Sequence, residues 1–304
     1  MPKCSCNDNH CLHTNAGRTD PTRTKLIRNR FKRDFARRVQ SIKRSVKEHV
    51  IDDDFFALQT RDEYAFLTDN ALHGEMAGKS DDEKARWFMN WFNGLIMFQL
   101  YEANRTSAEL ESLMSLPWQE QYIKAAYQRG VTRSRSELIQ AGIAPDEFGF
   151  GLRPEAQSAV RMQSDAHQEA YNSSLFRTKN ETIGVGEATE QTVQRSVAGG
   201  LAVGLGAVAM SEMILHDIDK VLGNRSELIA ETEVVRAHHN ATMVEYRASD
   251  LRDVTFEVEW VTAGDEQVCE LCESLEGQVM HIDDAQNLLP RHPRCRCVVI
   301  PVRT

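Results

Sequence analysis

The sequence predicts a mainly α protein, with a multi-helix body and a small C-terminal α+β module held by clustered Cys and His. Three observations predict it. Leu, Ala, Glu, Arg and Gln are plentiful in the 304 residues while Gly and Pro number only 17 and 8, a balance that favours helix. Apolar residues recur at steps of three or four along several long stretches, the period of a helix with one buried face. Towards the C-terminus the period changes to two, and paired cysteines follow. With 41% hydrophobic residues there is enough apolar material for real cores, so a folded, soluble protein of one large or two ordinary domains is expected.

Residues 1–17 form a polar tail with Cys4, Cys6, Cys11 and His13. It lacks the apolar stretch of a secretory leader, so maturation in a cytoplasm is expected. Residues 18–51 follow as one long amphipathic helix, its apolar side made by Ile27, Phe31, Phe35, Val39, Ile42, Val46 and Val50, with a break at Asp52 to Asp54. An N-terminal helical region, 52–145, contains a pattern from Asp81 to Arg105 whose Trp87, Phe88, Trp91, Phe92, Leu95, Ile96 and Phe98 read as core, then a helix over about Trp118 to Gln140. Ala144-Pro145-Asp146 opens a turn-rich stretch to Pro154 that reads as a hinge.

A second helical region, 146–250, begins with a helix over Glu155 to Thr178. Residues 196–211 are uncharged and contain Gly199, Gly200, Gly204 and Gly206. A membrane span needs about 20 apolar residues, so this run reads as a buried helix whose glycines allow close approach of a neighbour. Ser226 is the expected N-cap of the next helix, which runs to about Arg247. In the C-terminal module, 251–304, Val254, Phe256, Val258 and Trp260 alternate with Thr255, Glu257 and Glu259, the pattern of a half-buried strand.

Charge is unevenly distributed. Residues 18–47 hold twelve Arg or Lys against two Asp, a local +10, whereas the whole chain is at −9. A basic helix of this kind is either a solvated face or a contact for an anionic partner, DNA or an acidic protein surface, with Arg30, Arg33, Arg37 and Arg44 as its candidate binding residues.

The seven cysteines fall into two clusters, which in a reducing compartment points to metal rather than disulfides. Cys269 and Cys272 have two residues between them, and after nineteen intervening residues come His292, Cys295 and Cys297. A two-residue gap lets a tight turn aim both thiolates at one tetrahedral ion, and a second separated pair completes four ligands. Four of these five residues are the expected zinc-type knuckle, with Cys269, Cys272, His292 and Cys295 preferred and Cys297 the further candidate. Four protein ligands leave no open position, so a structural Zn²⁺ is expected. Cys4, Cys6, Cys11 and His13 form either a second metal site or a tail with free thiols.

Catalytic signatures are missing. Gly74 to Ser80 imitates a phosphate-binding loop but has three residues between its glycines where four are needed. No nucleophile elbow, zinc-protease helix or dinucleotide fingerprint is present, and no enzyme activity is expected.

The run Trp260-Val-Thr-Ala-Gly-Asp265, then Val268-Cys269-x-x-Cys272, Leu275-Glu-Gly277 and His292-Pro293-Arg-Cys295-Arg296-Cys297, resembles the signature of the Mu F/SPP1 gp7-like minor head proteins of tailed bacteriophages. The helix from Arg225 to Ala241 is similar to the helix that precedes it in that family, although the family usually has Arg-Thr-Glu where this chain has Glu231-Thr232-Glu233. The basic helix after Asp20-Pro21-Thr22 and the Trp87 to Trp91 region also look like parts of phage head morphogenesis proteins. The resemblance implies a low-copy virion component of the head, incorporated in the host cytoplasm during procapsid assembly. The portal protein, the major capsid protein or scaffold, and packaged DNA are the implied partners, with roles in packaging or ejection. A zinc-containing nucleic-acid-binding protein is the alternative reading. Against it, residues 265–297 carry seven acidic side chains and three arginines.

Overall fold

The computed structural model describes residues 20–58, 75–102, 114–143, 151–250 and 257–302. Cys4, Cys6, Cys11 and His13, most of the expected hinge (144–150), and Val254 and Phe256 of the expected strand lie outside the described residues. The fold is mainly helical with a small C-terminal strand and helix region, as the sequence predicts.

Helix α1 (Lys25–Lys47) is the basic helix. Asp20 accepts the Lys25 backbone N–H at 2.6 Å and the Arg28 guanidinium at 2.8 Å, so a carboxylate meets the positive end of the helix dipole. Phe31, Phe35, Val39, Ile42, Val46 and Val50 are all 3% exposed or less, while Arg30, Arg33, Arg37 and Arg44 face solvent. The predicted apolar stripe is therefore the buried stripe. A π-helical turn (Glu48–Asp52) ends it.

Helix α2 (Asp81–Tyr101) starts with a reciprocal capping box between Ser80 and Glu83. That cap is what the imperfect phosphate-loop pattern encodes. Phe88, Phe92 and Ile96 are fully buried, but Trp87 and Phe98 are 44% and 58% exposed, which corrects the expectation that the whole aromatic run is core. Positions 88, 92, 96 and 100 stack along one face, and at about 100° per residue 87 and 98 fall on the opposite flank. Lys79 covers Trp87, its ammonium 4.9 Å from the ring centre.

Helix α3 (Pro117–Gln140) opens on a proline in its first turn. The single helix expected over Glu155 to Thr178 is two: α4 (Pro154–Arg161) and α5 (Asp165–Ala202). Between them the backbone tightens, with Gln163 N–H donating to Val160 and Ser164 N–H to Arg161, both at 3.1 Å, the three-residue closure that ends a helix. The uncharged run is likewise a turn between helices. Gly204 takes φ +72°, and α6 (Ala207–Ile218) follows. Only at Gly200 is the approach close: a Cβ there would lie 2.8 Å from the methyl groups of Met210 and Met213. Among the described residues no helix is long and apolar enough to cross a membrane.

A second π-helical turn (Asp219–Gly223) runs directly into α7 (Asn224–Asp250). Because the backbone never leaves helical angles there, no N-cap position exists, and Ser226 instead donates to the Gly223 carbonyl at 2.8 Å. The C-terminal region then supplies β1 (Glu257–Val261), α8 (Glu270–Glu273), β2 (Val279–Met280), α9 (Ile282–Gln286) and β3 (Val298–Val302). The strands form an antiparallel sheet in the order β2-β1-β3, with Trp260 opposite Val299 and Val258 opposite Pro301. Pro301, which has no N–H to give, sits on an edge strand. Val258 and Trp260 are buried while Glu257 and Glu259 are half-buried, the alternation read from the sequence.

The chain divides into two compact units. The second gathers Lys32–Trp118 and Arg177–Ile229. Its core is aromatic: Phe35 meets Trp118 edge-on with ring centres 5.1 Å apart, and His49 lies between Phe55 and Trp91 at 4.6 and 4.1 Å.

The first unit gathers Met1–Phe31, Gln119–Phe176 and Ala230–Thr304. One apolar cluster joins Leu138 and Ile143 to Met243 and Tyr246, and these to Trp260, Ile282, Leu289 and Val299. Beside it lies a buried ionic network centred on Glu245, whose side chain is 1% exposed. Its carboxylate accepts from Arg161 at 2.9 and 3.0 Å, from His167 at 3.0 Å and from Arg135 at 3.4 Å. The other ring nitrogen of His167 lies 3.0 Å from the Tyr127 hydroxyl. Burial pushes the Glu245 carboxyl up, but the bonds from His167 and Arg161 more than offset this and hold it below its ordinary value.

Candidate metal centre

The metal centre is built from two short segments of the first unit. Val268 N–H donates to Asp265 O at 3.1 Å, closing the turn that delivers Cys269. Cys269 then opens α8 in an extended conformation, and one helical turn brings Cys272 round beside it, with Cys272 N–H on Cys269 O at 3.0 Å. The second segment repeats this geometry at His292, where Cys295 N–H donates to His292 O at 3.1 Å. Arg294, between them, takes φ +64°, a left-handed turn that bends the loop sharply.

All five predicted residues come together. Their donor atoms form two close groups, Cys269 with Cys272 and His292, and Cys272 with Cys295 and Cys297. Cys272 is common to both. His292 Nε2 lies 3.2 Å from each of the Cys269 and Cys272 sulphurs, and the Cys272 and Cys295 sulphurs are 3.9 Å apart. Metal–sulphur bonds of about 2.3 Å and metal–nitrogen bonds of about 2.0 Å in a tetrahedron imply donor separations of about 3.5–3.8 Å. The donors are therefore near that spacing.

The His292 ring is set for the same role. Its Nδ1 lies 2.7 Å from the Pro293 carbonyl, to which Nδ1–H donates, and this directs the Nε2 lone pair at the two sulphurs. The thiols titrate against one another. Burial pushes Cys272 up to about 12, while the bond from Cys297 draws Cys295 down to about 5, and Cys297 is itself raised by that bond and by burial. Several buried sulphurs cannot all carry charge unless a cation shares the space, and a divalent ion would lower every one of them. The donor chemistry thus fits a metal.

Residues 191–300 match the family model described as phage Mu protein F like protein. Over this stretch the chain is similar to that family. None of the curated proteins and none of the solved structures matches the chain.

The Mu F-like region contains supporting contacts that spacing does not reveal. Asp265 takes both guanidinium nitrogens of Arg296, at 2.5 and 2.6 Å, and that pairing holds its carboxyl below the usual range. The clamp ties the residue that starts the first segment to the one between Cys295 and Cys297. The second segment is in turn seated on α7: Arg294 N–H donates to the Thr232 hydroxyl at 3.1 Å, and its side chain pairs with Glu231 at 2.9 Å. Position 231, where the resemblance usually has arginine, therefore holds the knuckle through a carboxylate. Further along α7, His239 Nε2 lies 3.4 Å from the Gln286 carbonyl, Tyr246 donates to Val299 O at 3.4 Å and Arg247 pairs with Asp283 at 2.6 Å. A short Asp–x₃₀–Arg pair or a Thr on a helix carries no sequence signal of its own.

Proposed function

We propose that the protein is a minor head component of a tailed phage, incorporated near the portal vertex during procapsid assembly and acting there without turnover. The observation that carries this reading is the Mu F-like match across residues 191–300, which supports head morphogenesis as the general role. Contact with the portal protein, with the major capsid protein or scaffold, and with DNA during packaging or ejection are the finer parts of the proposal. They draw support from the cationic face of α1, whose Arg30, Arg33, Arg37 and Arg44 are exposed.

Within this reading the Cys/His centre is a structural staple holding Zn²⁺. When bound, the ion supplies a link between two segments that have little apolar surface of their own to bury. Cys269, Cys272 and Cys295 supply thiolates and His292 a neutral ring nitrogen, with Cys297 as the fifth available donor. Pro293 O fixes the ring, and Asp265, Arg296, Thr232 and Glu231 hold the segments in place.

Deletion of the gene in a phage that carries it tests the proposal. Heads should form without the protein and be defective in DNA retention or infectivity, and complementation should restore both the protein and infectivity. Heads of normal composition and full infectivity in its absence would refute it, as would a nucleotide- or peptide-modifying activity abolished by a single carboxylate or histidine substitution that leaves incorporation intact.

A further inference from the structure

The first unit carries a groove of about 1020 Å³ that the metal centre does not use. Its walls come from the start of α1, the outer face of α3 and the start of α4. Among the described residues five arginines line it, Arg23, Arg30, Arg129, Arg133 and Arg135, against two carboxylates, Glu137 and Glu155. Part of this charge is already used inside the fold: Arg133 Nε donates to Glu137 at 2.6 Å, and Arg135 belongs to the Glu245 network.

Arg30, Arg129 and one nitrogen of Arg133 are not. The Arg133 side chain is 9% exposed, and its Nη1 is buried without a hydrogen-bond partner. A buried guanidinium nitrogen left unpaired is costly. Arg30 and Arg129 are exposed and have no ion-pair partner among the described residues. Arginine offers a planar fork of donors matched to carboxylate or phosphate, so the groove selects an anion.

Two more observations say which kind. Leu26 and Ile139, 60% and 58% exposed, also line the groove. Large apolar side chains open to water beside guanidinium groups suit a ligand with both carboxylates and apolar side chains. Among the described residues that line it none is aromatic, and aromatic faces are what hold single-stranded nucleic acid. Its volume is at the upper end of small-ligand pockets, roughly 300–1,000 Å³, and a lone inorganic anion would fill little of it. We propose that this groove binds a short acidic and partly apolar polypeptide segment of a partner protein, with carboxylates on Arg30 and Arg129 and apolar side chains over Leu26 and Ile139. The inference is independent of the phage-head reading, since it rests on the groove alone.

The test uses the full chain and fluorescence anisotropy in about 0.1 M salt, where exposed charges further apart than about 10 Å are screened. Three labelled probes of equal charge are compared: a peptide of glutamate and leucine, a peptide of glutamate and serine, and a single-stranded oligonucleotide. The glutamate–leucine peptide should bind most tightly. Arg30→Glu with Arg129→Glu should weaken it at least tenfold, because two favourable pairs become repulsive. Leu26→Ser with Ile139→Ser should weaken it about fivefold or more while leaving the glutamate–serine peptide within twofold, in line with lost apolar burial. All four positions are exposed, so far-UV circular dichroism and melting should be unchanged. As a control for bulk charge, Arg33→Glu with Arg44→Glu should change binding less than twofold. Failure of the glutamate–leucine peptide to bind, an equal loss in the control, or tighter binding of the oligonucleotide with no response to the Leu26 and Ile139 substitutions would each overturn the proposal.

Discussion

Two adjacent histidines on α7 should make the first unit acid-sensitive well above the range in which carboxylates titrate. His238 and His239 are 3% and 4% exposed. Burial pushes His239 down to about 4, against a small upward pull from its bond to Gln286 O and a further downward push from Arg236. His238 is lowered well below its ordinary value by burial and by Arg133, His239 and Arg129. Both groups are thus held neutral in the fold and bind protons more readily once unfolded. The unfolded value of about 6.5 exceeds the folded one, so the stabilisation is complete above pH 6.5 and is lost as the pH falls towards 4. For His239 alone the loss between pH 7 and pH 5 is about 2 kcal/mol, rising towards about 3 kcal/mol at the folded value. His238 adds to it in the same direction. The assay is amide exchange across α7 at pH 7 and pH 5, corrected for the intrinsic rate, on the wild type and on His238→Gln with His239→Gln. The wild type should lose at least about 2 kcal/mol more protection than the variant on acidification. Equal losses would show that these rings carry no such linkage.

Three other outcomes are expected. Protein purified without chelator should contain about one zinc per chain by elemental analysis. Cys272→Ser removes the sulphur shared by both donor groups and should abolish that zinc while the far-UV spectrum of the helical body persists; less than a tenth of an equivalent in the wild type would sink the metal assignment. Glu245→Gln should cost roughly 3–5 kcal/mol in urea unfolding because it leaves Arg161 and Arg135 buried against a neutral amide, whereas Arg37→Ala, at an exposed pair with Asp34, should stay within about 0.5 kcal/mol. A Cβ at Gly130 would sit 2.3 Å from His238 O and 2.7 Å from Ala241 Cβ, so Gly130→Ala should destabilise by about 1–3 kcal/mol even though alanine is the better helix former by about 1 kcal/mol. A stabilised variant would mean that α3 and α7 are not packed this closely.

What could be read in advance followed the range of the interaction. The α1 stripe was legible because Phe31, Phe35, Val39 and Ile42 report on their own helix at its own period. The knuckle was legible because chelation demands fixed local spacing, and each half is one turn of chain. The Glu245 network was not, since Tyr127, Arg135, Arg161, His167 and Glu245 each read as an ordinary polar position, spread over four helices. Local rules also lost where a neighbour overrode them. Ser226 is a good cap residue with no cap to make because a π-helical turn feeds straight into α7. Phe98 has the composition of core but the wrong phase for it. The glycine-rich run reads as a buried helix, and it takes the left-handed backbone at Gly204 to show that the chain turns there.

The sheet order has a consequence for how the protein is made. β1 is central, and its partner β3 is encoded about forty residues later, together with three of the five candidate metal donors. On the ribosome, Cys269 and Cys272 emerge while His292, Cys295 and Cys297 do not yet exist, and Trp260 waits for Val299 to cover it. Helices of the second unit draw on residues synthesised earlier, Lys32–Trp118 and Arg177–Ile229, and can close on themselves first. The first unit collects its core from stretches more than a hundred residues apart, so its closure is a late event with a high loop-closure cost. A nascent chain therefore holds the Cys269 and Cys272 thiols and the β3-facing edge of β1 open to its surroundings until residues 298–302 are made, and metal capture coincides with the end of this unit's folding rather than its beginning.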